Sequence, residues 1–372
     1  MTRKKICWIT PDCFLDVDLP VIKELYNRYD IYWLITLNSN NHSDDKKFIL
    51  EQTSSLKGLE VKFFQMKYRI RSPKHLLEAI KVIKFAKSFH PDLYYISEQF
   101  VPLGFLLYKM MLPIDKCVVA CHNVTTPQGA KNEVFANFYT NQWLKTFKNI
   151  QTFSESQCEA LNAKYRNKNA LMAHLILKDY GEPQRVVNKL DLDYVRFLVF
   201  GNIVWYKRID LLLNAVNILW DKGYKNFRVR IAGSCKSWEA NYAPLIKHPE
   251  LYELDIRRIP NEDVANLFVD SHYFVMPYQD IAQSGAITVA YRYNLPAIVS
   301  DIPPFQEFVQ DGVTGFTFHT QDAQALADKM AWILDNHLKI YPDVCSRLRD
   351  YTDKTLSTIA IIQKYCAFFD KL

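Results

Sequence analysis

The stretch Val275–Asp301, VMPYQDIAQSGAITVAYRYNLPAIVSD, joins two apolar runs through a polar loop and a helical segment. The runs, YFVMP (273–277) and PAIVS (296–300), are short and continuous rather than alternating, as strands buried on both faces are. The segment between them starts on Ser284-Gly285-Ala286, with no large side chain at its tip. Strand, helix and strand in this order make the unit from which parallel sheets are built. A helix start carrying only small side chains leaves its backbone N–H groups unobstructed. Such a tip attracts anions through unpaired donors and the helix dipole. Ser284 is placed to cap the empty helix, or to donate to a phosphate oxygen when one is bound.

The same alternation runs along the whole chain. ICWIT (6–10), IYWLIT (31–36), VKFFQM (61–66), DLYYIS (92–97), CVVACH (117–122), IQTFS (150–154) and ALMAH (170–174) read as one series of strands. A polar, turn-rich stretch, 179–193, follows. VRFLVFG (195–201), FRVRIAG (227–233), YELDIR (252–257), the two runs above and GFTFH (315–319) read as a second series. Amphipathic segments lie between most of these, and at least two helices close the chain. We therefore expect an α/β protein of two doubly wound Rossmann-like domains, 1–180 and 181–352, facing a cleft. Residues 353–372 form a final helix placed to pack back on the first domain. In such folds ligands bind where strand C-termini and helix N-termini point.

Composition fits this reading. The 372 residues suffice for two cores, and 49% hydrophobic with 23% charged residues describe a globular chain. No apolar run approaches the ~18 residues of a membrane span. The basic start MTRKKICWIT carries too short an apolar run for a signal peptide and reads as a first strand. Eight cysteines without C-x-x-C spacing suggest a reduced, cytoplasmic protein. Cys117 and Cys121 beside His122 are the nearest approach to a metal cluster, but their spacing within one strand puts both thiols on one buried face. We expect no metal and no cofactor.

The net charge of +6 is uneven, roughly +8 over residues 1–185 and roughly −2 beyond. Its densest part is 62–87, where Lys and Arg interleave with Phe, Tyr, Leu and Ile. That pattern suits an anionic membrane surface, the inner face of the membrane for a cytoplasmic protein. No nucleic-acid motif accompanies it. A solvated helix face is the plainer explanation of the same charges.

Three loops of the second series fall after strands and before helices, and should share one rim. FGNIVWYKRID supplies Gly201, Asn202 and a helix beginning at Lys207-Arg208; IAGSCKSW supplies Gly233; the opening stretch supplies Gln283 to Ala286. An ammonium and two or three amides hold a diphosphate without a metal, at about 1.5–3 kcal/mol per charged hydrogen bond.

In order and spacing, FGNIVWYKRIDLLLNA, IAG, VANLFVDSHYFVMPY and QSGAITVAYRYNLPAIVSDIPPFQEFVQDGVTGF resemble the donor-binding half of family-four glycosyltransferases of GT-B fold, especially the branch with a Q-S-G donor loop. The first half fits more loosely, through VVACHNVTTP and IQTFSESQCEALNAKY. The likeness covers most of residues 115–320 and is most specific from Pro277 to Gly315. It implies a metal-independent enzyme that retains anomeric configuration. Lys207 would then neutralise the diphosphate of a nucleotide sugar, and Ser284, Gly285 and Ala286 would hold its distal phosphate. Glu307 would lie near the ribose or sugar, and His122 would reach the transferred sugar. Of the family's paired glutamates, Ile281 and Val289 stand in place; Asn202 replaces an arginine and Arg208 a glycine. Arg208 is placed to restore the missing positive charge, although a solvated first-turn arginine would look the same.

The glycine-rich loop usual after the first strand is absent, and TPDCFLDVDLP stands there. Asp16-Val17-Asp18 spells a metal-binding acidic pair of another transferase fold, but at the wrong place in the chain. Asp12, Asp16 or Asp18 is left to bind acceptor hydroxyls or act as base, Asp16 being the best placed. Asp18 before Leu19-Pro20 reads as a helix cap. The expected reaction moves a sugar to a hydroxyl of a glycan or lipid-linked acceptor in surface-polysaccharide synthesis. The alternative is an inactive nucleotide-sugar or glycan-binding protein. A nicotinamide oxidoreductase is disfavoured because no G-x-G-x-x-G follows any strand.

Overall fold

The computed structural model describes residues 3–38, 43–70, 72–97, 103–125, 133–184, 189, 193–281 and 283–372. Arg71 of the basic stretch, and 185–188 and 190–192 of the expected linker, lie outside the described residues. The chain divides into two compact units, Met1–Ile176 with Thr358–Leu372, and Leu177–Ser357.

The first unit holds β1 (Lys5–Pro11), β2 (Asp30–Leu37), β3 (Leu59–Gln65), β4 (Leu93–Ile96), β5 (Cys117–Cys121), β6 (Asn149–Thr152) and β7 (Asn169–Met172). They form one parallel sheet in the order β3-β2-β1-β4-β5-β6-β7. Its helices are α1 (Leu15–Leu25), α2 (Ser43–Thr53), α3 (Pro73–Ser88), α4 (Gly104–Met111), α5 (Glu133–Thr146) and α6 (Glu155–Lys164). The continuous apolar strands serve two cores at once. Ile6, Trp8, Val118 and Ala120 pack with α1, while Cys7, Ile9, Val119 and both Cys117 and Cys121 pack with α3, α4 and α5. The two thiols thus share one buried face, and burial pushes each up to about 12.

The second unit holds β8 (Val195–Phe200), β9 (Phe227–Ala232), β10 (Tyr252–Asp255), β11 (Tyr273–Met276), β12 (Ala297–Ser300) and β13 (Gly315–Phe318), in the order β10-β9-β8-β11-β12-β13. Its helices are α7 (Ile209–Asp221), α8 (Trp238–Asn241), α9 (Asn261–Val269), α10 (Gly285–Arg292), α11 (Pro303–Gln306) and α12 (Ala323–Tyr351). Phe197, Val229, Val275 and Ile298 face the α7 and α12 side; Leu198, Phe274, Met276 and Val299 face the α9 and α10 side. A last helix, α13 (Thr358–Phe369), sends Ile361, Tyr365 and Phe369 into the core of the first unit.

The division lies a few residues from the expected borders for packing reasons. Leu177 and Tyr180 already belong to the second unit's core. At the other end α12 runs into a π-helical turn, Thr352–Leu356, whose Leu356 is buried in that same core.

Candidate active site

Both sheets reverse their strand order once, between β1 and β4 in the first unit and between β8 and β11 in the second. At such a switch point the connections leave toward opposite faces and open a crevice at the strand C-termini. In the second unit the loops after β8, β9, β11 and β12 all end on that edge, because the strands are parallel.

The loop after β8 approaches its neighbour as closely as backbone allows. Gly201 has φ +96, and a Cβ there would stand 3.3 Å from the Lys207 ammonium. A Cβ on Gly233 would come within 2.0 Å of the Gly201 carbonyl oxygen, so no other residue fits without moving the chain. Asn202 accepts from the Ser234 hydroxyl at 3.1 Å, a second tie between the two loops.

Lys207 ends a 3-10 turn, Trp205–Lys207, and is 8% exposed. Its ammonium reaches the Phe200 carbonyl at the end of β8, at 3.4 Å, and lies 5.4 Å from the centre of the Tyr278 ring. Among the described residues no carboxylate pairs with it. Burial holds its pKa down to about 8, so the charge is retained at neutral pH at a desolvation cost that an arriving anion would relieve. Tyr278 stands two residues past β11; its carbonyl accepts from the Ser300 hydroxyl, and Gln279 donates its N–H to Tyr206 at 2.8 Å. The loops after β8 and β11 are thereby stitched together around the lysine.

The expected single helix from Lys207-Arg208 is corrected. Arg208 is left-handed, with φ 48 and ψ 46, which breaks the 3-10 turn from α7. Its guanidinium is held by Asp210 at 2.9 Å and reaches Gln279 at 3.2 Å. Its charge is therefore answered by a neighbour two residues along.

Ser284, itself buried, occupies the N-cap position of α10 with extended backbone, φ −125 and ψ 110, but its hydroxyl makes no capping bond. The expectation of a serine cap in the empty protein is corrected. Instead the Thr288 hydroxyl donates to the Gly285 carbonyl at 2.7 Å. Gly285 is exposed, and nothing lies within 4 Å of where its Cβ would be. The tip of α10 is open, with Gln283 half-buried before it and Ala286 half-buried behind. Val289 is buried in the core, so its position faces the sheet rather than the rim. Glu307 follows α11 beyond β12, half-buried, and its carbonyl accepts from the Tyr351 hydroxyl at 2.9 Å.

In the first unit, His122 directly follows β5. Its ring lies flat between Phe14, at 3.8 Å, and Phe153, at 4.3 Å. Burial pushes its pKa down to about 3, which leaves a neutral imidazole able to orient a ligand but not to supply a charge. Asp16 is exposed on α1. Both carboxylate oxygens of Asp12 accept from Asn38, at 2.9 and 2.8 Å, joining the ends of β1 and β2.

Asp18 is not a helix cap. The 3-10 turn Asp12–Phe14 runs straight into α1, so the helix starts at Leu15 and contains both Asp18 and Pro20. The Asp18 carboxylate is buried, accepting from Thr10 at 2.7 Å and Ser97 at 2.6 Å, across the ends of β1 and β4. Burial raises its pKa to about 6 against the pull of those hydroxyls. Sequence reasoning missed this role and that of Tyr278. Periodicity gave a signal for the first, since Asp18 falls on the same face of α1 as Ile22 and Leu25.

Residues 182–355 match the model of the family described as glycosyl transferases group 1. A comparison with curated proteins finds no match. Among solved structures the chain is similar to a glycosyltransferase from Rickettsia africae ESF-5, with 14% identity, 100% and 99% of the two chains covered and a TM-score of 0.76. It is similar to Anabaena Alr3699/HepE in complex with UDP and glucose, with 13% identity, both chains covered to 100% and a TM-score of 0.75. Sucrose-phosphate synthase from Thermosynechococcus elongatus gives 13% identity, 99% coverage of each chain and 0.76. The two α/β units have the Rossmann-like fold of GT-B glycosyltransferases, and it is the second of them that matches the glycosyl transferases group 1 model.

Proposed function

We propose that the protein transfers a sugar from a nucleoside diphosphate sugar to a hydroxyl of a glycan or lipid-linked acceptor, with retention of configuration and without a metal or cofactor. The observation that carries this reading is the buried ammonium of Lys207 at the switch point of a group 1 domain, on the edge where α10 opens its unobstructed tip. HepE, which shares the fold, was solved with UDP and glucose, which supports a nucleotide sugar as donor.

Breaking the anomeric C–O bond leaves negative charge on the distal phosphate, and stabilising that charge is the main demand on the site. Lys207 and the amides of Ser284, Gly285 and Ala286 meet it. The acceptor's proton passes to the leaving phosphate oxygen on the same face of the sugar, so no carboxylate has to attack. His122, neutral and clamped between two rings, orients the sugar. Asp16 is the candidate contact for the acceptor. Arg208 assists the phosphate by sharing its charge between Asp210 and the ligand.

The basic first half supports an acceptor presented at the inner surface of a membrane, in surface-polysaccharide assembly by a cytoplasmic protein. Among the described residues no helix is long and apolar enough to cross a membrane. The test is a thermal-shift panel of UDP, GDP, ADP and their sugars, followed by turnover of the stabilising donor. The bound diphosphate stabilises the fold by mass action. Donor hydrolysis without acceptor supports an enzyme. Binding without hydrolysis or transfer would instead support an inactive sugar-nucleotide-binding protein, the outcome that loss of both family glutamates favours.

A further inference from the structure

We propose that the outer surface of the α3–α4–α5 layer in the first unit docks on an anionic lipid bilayer. This rests on the membrane part of the reading above and deepens it by assigning the face and its contacts. The layer is fixed from inside: Val82 and Ile83 of α3, Tyr108 of α4 and Trp143 and Leu144 of α5 enter one core. The Tyr108 and Trp143 rings lie 5.3 Å apart, so α4 packs directly on α5, and it also touches α3.

Helical periodicity then decides what faces outward. On α4, Leu106 and Met110 stand one turn apart, 41% and 80% exposed; on α5, Val134, Phe135 and Phe138 are 80%, 65% and 53% exposed. The outer face of a surface helix is ordinarily polar, and large apolar side chains exposed on two adjacent helices depart from that rule. Beside it α3 presents Lys74, Lys81 and Lys84, with Leu77 among them. The acidic residue of α3, Glu78, is turned onto the backbone amides of Lys67 and Tyr68, at 3.0 and 3.3 Å, which leaves the lysine stripe positive. Where α3 and α4 end, a cavity of about 480 Å³ is lined by Lys84, Lys87, His90 and Lys116.

Charge complementarity selects the occupant. A second copy would bring one lysine stripe against another, whereas phosphate headgroups neutralise both the stripe and the cavity. Met and Phe side chains then enter the acyl boundary while the lysine stems reach back to the headgroups.

The experiment is co-sedimentation of the full chain with phosphatidylcholine vesicles, with and without about one quarter phosphatidylglycerol, at low and physiological salt. Two variants accompany it, one combining Lys74→Glu, Lys81→Glu and Lys84→Glu, the other Met110→Ser, Phe135→Ser and Phe138→Ser. Wild type is expected on anionic vesicles and not on neutral ones, and each variant should lose at least about thirtyfold in partitioning. The UDP thermal shift, which reads the other unit, should survive in both variants. Wild type left in the supernatant with anionic vesicles overturns the proposal while a persisting UDP shift leaves the donor reading intact; vesicle binding without a UDP shift does the reverse. Binding that survives both variants, or self-association that the serine variant abolishes without any vesicle binding, also overturns it.

Discussion

The two switch points of this chain share one topology and carry opposite chemistry. In the second unit the crevice edge holds a buried ammonium, Lys207, with an aromatic ring beneath it and an open helix tip on the same edge. In the first unit the corresponding edge holds a buried carboxylate, Asp18, closed off by the hydroxyls of Thr10 and Ser97. Doubly wound sheets supply the crevice, but the residues at the strand ends decide which charge it presents. The cation is left wanting an anion. The carboxylate is already satisfied and serves to lock β1 to β4.

The largest effect that would test this contrast is on turnover. Lys207→Ala should lower sugar transfer by about 100- to 1,000-fold at saturating donor, since it removes charge stabilisation made in the transition state. Near-normal turnover would erase the functional difference between the two edges. Next, Gly233→Ala should destabilise the second unit by about 3 kcal/mol or more, because the added methyl overlaps the Gly201 backbone. Denaturant midpoints would show it.

Asp18→Ala should cost about 1–3 kcal/mol by leaving two buried hydroxyls without their acceptor, with the UDP shift unchanged. The pH dependence has a definite sign. The Asp18 pKa is raised from 3.8 to about 6 in the fold, so the folded chain holds this proton where the unfolded chain releases it. The stability linked to it is present at low pH and lost as pH rises through about 6. Asp18→Asn should flatten that decline, measured as wild-type minus variant stability across the range. A matching decline in both proteins would show that Asp18 does not titrate there.

Lys207 gives a smaller and opposite-edged pH effect. Its pKa is lowered to about 8, and a diphosphate favours the charged form. Affinity for UDP should be level below pH 8 and fall toward about tenfold per unit above it, until the pKa of the bound state is reached. The smallest effect is expected at Arg208, whose charge Asp210 already answers; Arg208→Ala should weaken UDP binding by no more than about threefold. A loss as large as that of Lys207→Ala would mean that Arg208 abandons Asp210 for the ligand.

The fold was legible because its signals are periodic and local. Short continuous apolar runs separated by amphipathic segments admit little besides buried parallel strands, and the units divide after Ile176, just before the polar stretch 179–193. The close approach of the loops after β8 and β9 left a mark in the sequence, because Gly201 and Gly233 stand where backbone geometry requires glycine. What escaped depends on side chains meeting across the sheet. Asp18 lies eight residues from Thr10 but seventy-nine from Ser97, and no local pattern announces that second partner. Proline at 20 suggested a helix start that the preceding 3-10 turn had already provided. Ser284 had every local mark of a cap, and its hydroxyl makes no capping bond. Tyr278 as the floor beneath Lys207 joins two loops seventy residues apart and was equally hidden.

The most direct measurement is calorimetric titration of UDP into wild type and Lys207→Ala near pH 8.5, in two buffers that differ in ionisation enthalpy. If the buried ammonium and the open tip of α10 together hold the diphosphate, wild type takes up protons on binding, and the variant binds about tenfold to a hundredfold more weakly with no such uptake. Equal affinities, with the same proton count in both proteins, would contradict it.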